Sequence, residues 1–264
     1  MIGGGHTGSA ADAVSKLSAT NLASPGNLSM STALTSPPPL ADQLLVQPTP
    51  GRTLGDLLTQ LGDVSPSRVR LHPFPGTANV QDVIDIERRE NRLCELVDGV
   101  LVEKIMGYRE ALIALAIGGA LRTFVRPQKL GLVSGPDGMM QIFPGLVRIP
   151  DVAFASWQSI PGGRVPTEAA PQLVPDLAVE VLRESNTPAE MSRKMREYFA
   201  AGVRLVWFVY LIERNVKVYT GPETFTVLPT NGTLDGGDVL PGFSLSFADL
   251  FAELDGPGAS ATES

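Results

Sequence analysis

The chain has 264 residues, enough for one large domain or two small ones, and its 43% hydrophobic content supports a sizeable core. A single cysteine, Cys94, excludes an intramolecular disulfide and a Cys-based zinc cage, and such usage fits a reducing, cytoplasmic location. The formal net charge of -7 argues against a long basic surface for a nucleic-acid backbone, although it leaves room for a local basic groove.

Met1 to Ser18 has no basic segment followed by an apolar one, so no secretory signal is expected. Residues 1–51 are rich in Ser, Ala, Gly, Thr and Pro and read as a low-complexity, disordered tail, since they offer little apolar surface to offset ordering entropy. Gly3-Gly4-Gly5 lies in that tail without a strand before it or a helix after it, which gives no support to a phosphate loop.

Residues 52–91 read as accessory N-terminal helices. Leu54, Leu57, Leu58 and Leu61 recur at helical spacing, and a second helix is expected over 78–89 with Val80, Val83 and Ile84 inward. The domain proper is expected over 92–254. Leu93 to Val97 and Val100 to Lys104 flank Asp98-Gly99, a hairpin signal because both turn residues tolerate positive φ. A helix follows from Tyr108 to Val125, stopped near Pro127. Its apolar stretch, Ala111 to Leu121, is much shorter than the ~20 residues of a membrane span.

Two or three short strands are expected in the 131–157 region, including 139–143 and 152–156. Ser134-Gly135-Pro136-Asp137-Gly138 reads as a turn. Leu177 to Leu182 is a nearly continuous apolar run, as in a strand buried on both faces. Thr187-Pro188-Ala189-Glu190 then supplies a capping hydroxyl, a proline at the first helical position and a reciprocal carboxylate at the third. That helix runs to Ala201 and stops at Gly202. Strands over 205–210 and 216–220 complete the order β-β-α-β-β-β-α-β-β, an α/β arrangement around a mixed sheet. Residues 255–264 read as a flexible C-terminal tail.

Three acids fall within expected buried strands. Glu180 stands between Val179 and Val181, Glu95 shares a strand face with Leu93 and Val97, and Asp151 opens the strand that continues Val152-Ala153-Phe154. An ionised carboxylate is costly to bury without a cation or strong hydrogen bonds. A lone acid in a strand is ordinarily a salt-bridged or edge residue, and Asp176 reads as a strand-entry residue. Three acids converging would repel one another, and a hard divalent ion, Mg²⁺ or Mn²⁺, is the simplest remedy. Lys194 borders the apolar face formed by Met191, Met195, Tyr198 and Phe199, from which its ammonium could reach the sheet; the ordinary alternative is a snorkelling surface lysine. Arg193, Arg196 and Glu197 are expected to face away.

The segments Cys94-Glu95-Leu96-Val97-Asp98-Gly99, Val147-Arg148-Ile149-Pro150-Asp151-Val152-Ala153-Phe154, Pro175-Asp176-Leu177-Ala178-Val179-Glu180-Val181-Leu182 and 194–203, Lys194 to Val203, closely resemble the Uma family of restriction-endonuclease-like proteins. The likeness runs from Leu93 to Leu254. It implies the PD-(D/E)XK fold, a restriction-endonuclease-like mixed sheet flanked by helices with extra β-hairpins. Asp151 matches the aspartate of the Pro-Asp motif, Glu180 the following strand glutamate and Glu95 the acid of the early element. The lysine that usually follows the strand glutamate by two residues is replaced here by Leu182, and the resemblance implies Lys194 in its stead. Arg183-Glu184 stands where relatives often carry Ser-Pro, and Tyr210 where an aspartate often ends the strand.

What the resemblance implies is an Mg²⁺- or Mn²⁺-dependent endonuclease acting on nucleic acid, DNA foremost. Asp151 and Glu180 would be metal ligands, with Glu95 completing the metal shell directly or through water, and Lys194 orienting the attacking water or stabilising the pentavalent state electrostatically. A homodimer is a further expectation. Two alternatives stay open: a nucleic-acid or protein interaction module with little catalysis, and a hydrolase of small phosphorylated substrates. His6 and His72 lie in the tail and in a loop, which gives no support to a His triad or zinc site. Cys94 reads as a buried structural thiol, and Trp207 and Phe208 as core residues.

Overall fold

The computed structural model describes residues 53–255, without the side chain of Glu253. The expected tails, 1–51 and most of 255–264, and with them Gly3-Gly4-Gly5 and His6, lie outside the described residues. No helix among those described is long and apolar enough to cross a membrane.

Two short helices open the described chain. Helix α1 (Leu54–Gln60) starts on a reciprocal cap: Thr53 Oγ1 accepts the Asp56 N–H and the Asp56 carboxylate accepts the Thr53 N–H. Helix α2 (Val80–Glu90) starts the same way on Asn79 and Asp82 and ends on Asn91 in the left-handed conformation. Val83 and Ile86 are its buried residues, while Val80 and Ile84 are only partly covered.

The hairpin falls where Asp98-Gly99 places it. Strands β1 (Cys94–Val97) and β2 (Val100–Glu103) pair antiparallel, with φ of 51° at Asp98 and 70° at Gly99. Helix α3 (Tyr108–Gln128) then runs past Pro127, contrary to the expected stop. Pro127 lies in the last turn, and the chain leaves the helix only at Lys129, which is left-handed.

Five strands separate α3 from the next helix, where the sequence pattern suggested three or four. These are β3 (Gly131–Ser134), β4 (Met140–Phe143), β5 (Leu146–Arg148), β6 (Val152–Ser156) and β7 (Leu177–Leu182). Short strands of three or four residues leave too few alternations to be counted from sequence. Helix α4 (Pro188–Ala201) is followed by β8 (Leu205–Tyr210), β9 (Asn215–Tyr219), β10 (Phe225–Leu228), β11 (Thr233–Gly236), β12 (Leu240–Ser246) and helix α5 (Phe247–Asp255).

The strands form a six-stranded mixed sheet, β10-β9-β8-β7-β6-β3, a four-stranded antiparallel sheet, β2-β1-β5-β4, and the β11-β12 ribbon. Among the described strands only β7 and β8 pair in parallel, joined through α4 as a crossover requires, apart from an isolated parallel bridge between Gln141 and Gln172.

Strand pleat sorts the side chains into layers. Leu177, Val179 and Val181 of β7 enter the core that covers α3 and α5. Ala178 and Leu182 enter a second core, shared by both sheets and α4, with Val97, Val102, Met195, Tyr198 and Phe208. Glu180, between Ala178 and Leu182 in the pleat, therefore faces this second core. The same parity puts Glu95 beside Val97 and Asp151 beside Ala153 on that side. A third core joins α2 to the outer face of the four-stranded sheet.

The N-terminal segment is built into this second core. Leu61, Val64 and Val69 are buried there, and the Arg68 guanidinium pairs with the buried Glu190 of α4 at 2.8 Å. Gly62, at φ 88°, approaches the start of α4 so closely that an added Cβ would lie 2.6 Å from the Glu190 backbone.

Candidate active site

The acids nominated from sequence meet in one pocket. Glu95, Lys104, Asp151, Glu180 and Lys194 all line a cavity of about 30 Å³ that opens between β2, β7 and the start of α4. That space suits an ion or one or two waters. Asp151 and Glu180 come from neighbouring ends of paired strands: the Asp151 N–H donates to the Val179 carbonyl, and Asp151 Oδ2 accepts the Val181 N–H at 2.7 Å.

Lys194 reaches the sheet from α4. Its Nζ stands 3.0 Å from Glu180 Oε1 and 3.0 Å from Glu95 Oε1. One helical turn on, the Tyr198 hydroxyl donates to Glu180 Oε1 at 2.6 Å. Both hydrogen bonds to the Glu180 carboxylate thus fall on Oε1, and none from a described residue falls on Oε2. Glu95 is held on both oxygens, by Arg148 Nη1 at 2.6 Å on Oε2 and by Lys194 and the Ile149 N–H on Oε1.

Electrostatics separate the carboxylates. Burial alone would push Glu95 up, but Lys194, Arg148 and Lys104 outweigh it and hold Glu95 well below the usual carboxylate range. Burial pushes Glu180 up; Lys194 pulls it back, while the nearby charges of Asp151 and Glu95 push it further up. Burial would lower Lys194, yet Glu180 and Glu95 raise it on balance, so its ammonium stays charged. Burial, with Glu180 and Glu95 nearby, drives the Tyr198 phenol well above its ordinary value and keeps it a donor.

Three contributors escaped the sequence reading. Lys104 Nζ lies 2.7 Å from Asp151 Oδ1 and also donates to the Ile149 carbonyl. Its signal was the pleat of β2, because Lys104 has the parity of Val100 and Val102, which face the second core. Arg148 bridges Glu95 to the buried Glu197, and Tyr198 fixes Glu180. Two expectations on α4 are corrected. Of Arg193, Arg196 and Glu197 only Arg196 faces away. Glu197 is 1% exposed, clasped by Arg148 and Arg193, because a buried cation on β5 draws it inward, and Arg193 turns in to Glu197, Asp98 and the Gln60 carbonyl. Glu190 does not complete a reciprocal cap; Thr187 Oγ1 accepts the Glu190 N–H, but the Glu190 carboxylate turns to Arg68.

The remaining assignments are structural. Asp176 accepts the Ser156 N–H at 2.7 Å, joining β6 to β7. Cys94 is buried and its thiol is pushed up to about 11, chiefly by burial. Trp207 and Phe208 lie in the core. Residues 134–138 form the expected turn, closed by the Gly138 N–H on the Gly135 carbonyl.

Among the described residues, no three or more His, Cys, Asp or Glu side chains are grouped as a metal cage. Glu95, nominated with Asp151 and Glu180, lines the same pocket but has both oxygens already held by Arg148, Lys194 and the Ile149 N–H. The donors suited to a hard ion are the carboxylates of Asp151 and Glu180, whose mutual repulsion a cation would relieve. Such a pair fits Mg²⁺, which commonly takes one or two carboxylates and keeps several waters.

A mixed sheet with an acid-and-lysine pocket at the ends of its central strands defines a nuclease-like α/β protein. The chain matches the Uma2 family, described as "Putative restriction endonuclease", over residues 80–248, and belongs to it. The match includes α2, which the sequence pattern alone had set outside the common core. No curated protein matches the chain. Its fold is similar to that of a crystal structure described as a putative nuclease belonging to DUF820 from Anabaena variabilis, with a TM-score of 0.55 at 20% identity over 61% of this chain and 91% of that one.

Proposed function

We propose that the protein is a Mg²⁺- or Mn²⁺-dependent endonuclease that hydrolyses phosphodiester bonds of nucleic acid, DNA foremost. The reading is carried by Asp151 and Glu180, carboxylates from paired strands that line one small pocket with Lys194, where the charge of Asp151 adds to the cost of ionising Glu180. Membership of a family described as putative restriction endonucleases supports the reaction class.

In this reading Asp151 and Glu180 hold the divalent ion, and Glu95 acts through Lys194 or a bridging water. A bound ion would lower the pKa of its water and offset charge on the phosphate oxygens. Val181, through its N–H, fixes the orientation of Asp151, and Tyr198 fixes that of Glu180. Lys194 stays protonated and presents positive charge to the negative charge that develops on the phosphoryl group. Arg148, itself held by Glu197, keeps Glu95 ionised and in place behind it.

The net charge of -7 is met locally. Arg122 and Arg126 on the outer face of α3, with Lys129, are exposed and surround a cavity that also includes the half-buried Trp157. None of the three cations makes an ion pair with another described residue. Such a patch supports phosphate contacts with a base or sugar near the indole.

The test is cleavage of plasmid DNA by Asp151→Asn and Glu180→Gln in Mg²⁺. Both variants are expected to fold and to lose cleavage to background; parental rates in both would overturn the reading. A binding module without catalysis is the second reading, favoured by the fact that Asp151, Glu180 and Glu95 each already have a lysine partner. DNA binding by a parent protein that neither cleaves nor takes up Mg²⁺ would establish that alternative.

A further inference from the structure

We propose that Lys104 is a resident counter-cation of the pocket, which neutralises Asp151 when no divalent ion is bound and competes with that ion for the carboxylate. This rests on the metal-site reading above and concerns its regulation.

The two lysines of the pocket are held differently. Lys194 is gripped by two carboxylates, Glu95 and Glu180, and belongs to a capped helix. Lys104 follows the last residue of β2 and has one carboxylate partner, Asp151, besides the Ile149 carbonyl. Because Val181 occupies Asp151 Oδ2, the Lys104 ammonium sits on the oxygen an ion would most readily take. Its side chain is only 9% exposed, so its charge is felt strongly, and it lowers the cost of ionising Glu95 and Glu180 as well.

A displaced ammonium has somewhere to go. Lys104 also lines a second, wider cavity of about 590 Å³, whose walls carry Glu90, Glu103 and Asp137 together with Arg92, with Glu90 and Glu103 already paired to arginines. The long flexible stem of lysine allows the tip to leave Asp151 for this wider space, where Asp137 is the acid without an ion pair among the described residues, without moving the strand. Two cations cannot share Asp151 Oδ1 without repelling each other, so ion entry and lysine departure are one event. The apo pocket is thereby kept from carrying unpaired buried carboxylates, and the ion binds more weakly than its ligands alone would permit.

The experiment is calorimetric titration of MgCl₂ and MnCl₂ into the full chain as parent, Lys104→Met and Asp151→Asn, with thermal melts of each. The inference expects Lys104→Met to bind the ion about tenfold tighter or more, to melt lower than the parent without ion, and to gain more from added ion. Should Lys104→Met fail to fold, Lys104→Gln, which keeps a donor for the Ile149 carbonyl, carries the same expectation. Uptake by the parent that is lost in Asp151→Asn but unchanged or weakened in the Lys104 variant overturns the inference while leaving the metal site standing. Uptake by the Lys104 variant alone supports it in its strongest form. No uptake by any variant overturns both the inference and the metal site beneath it.

Discussion

Lys194 and Glu180 are joined at 3.0 Å across the gap between α4 and β7, with the same ammonium equally close to Glu95. Two buried carboxylates therefore share one cation. Lys194→Met would leave Glu180 and Glu95 facing each other without it, and loss of one partner of a buried pair costs about 3–5 kcal/mol. The expected outcome is a lower urea midpoint with loss of cleavage, and partial recovery of stability when Mg²⁺ is added. A variant as stable as the parent would mean that the lysine is not the charge that holds this pocket together.

The opposite displacements of Glu95 and Glu180 set a pH signature. A carboxyl held below its ordinary value contributes stability that is present above about pH 4.5 and is lost as pH falls through the folded value. Glu95 behaves so, because Lys194, Arg148 and Lys104 outweigh its burial. Glu180, raised chiefly by burial, acts in the other sense and loses stability as pH rises through its folded value. Urea unfolding of the parent between about pH 5 and pH 3 should show a decline that is shallower in Glu95→Gln. Parallel slopes for parent and variant would refute the assignment.

The elements legible in the sequence are those whose signals are local. The Asp98-Gly99 hairpin, the buried strand 177–182 and the helix between Thr187 and Gly202 depend on turn chemistry, apolar run and caps, all contained within a few residues. Glu95, Asp151 and Glu180 were likewise legible as strand acids, and pleat parity turned all three toward one core. What escaped depends on partners distant in sequence. Glu197 is buried because Arg148 waits for it from β5, and Glu190 abandons its cap because Arg68 arrives from the N-terminal segment. Lys104 at a strand end looks like a solvated charge until Asp151 is brought beside it.

That N-terminal segment supplies a prediction of its own. Arg68 and Glu190 form a buried pair at 2.8 Å that ties the chain before α2 to the first turn of α4. Since α4 also carries Lys194, the tie bears on the site as well as on stability. Arg68→Met leaves Glu190 with only Asn186 as a hydrogen-bonding side chain, at 3.3 Å, and should cost about 3–5 kcal/mol. Proteolysis would then expose the region before residue 69 first. If the variant unfolds at the parental urea concentration and resists protease equally, the segment is dispensable.

The basic patch on α3 offers a separation of binding from chemistry. At 1.5 Å rise per residue, Arg122 and Arg126 stand ~18–24 Å along the helix from Glu110, which lines the acidic pocket. That span corresponds to ~5–7 base steps of duplex DNA at 3.4 Å each. A duplex that engages both places has to cover that span. Replacing Arg122 and Arg126 with Glu removes two cations and repels phosphate, so DNA affinity should fall uniformly across sequences. The slope of log affinity against log salt should shrink by about 0.9 for each phosphate that is no longer neutralised. Mg²⁺ uptake, proposed above to rest on Asp151 and Glu180 at the far end of the helix, should be unaltered. Equal DNA affinity and equal salt slope in parent and variant would remove α3 from the nucleic-acid path and leave the duplex to be held by the pocket's own rim.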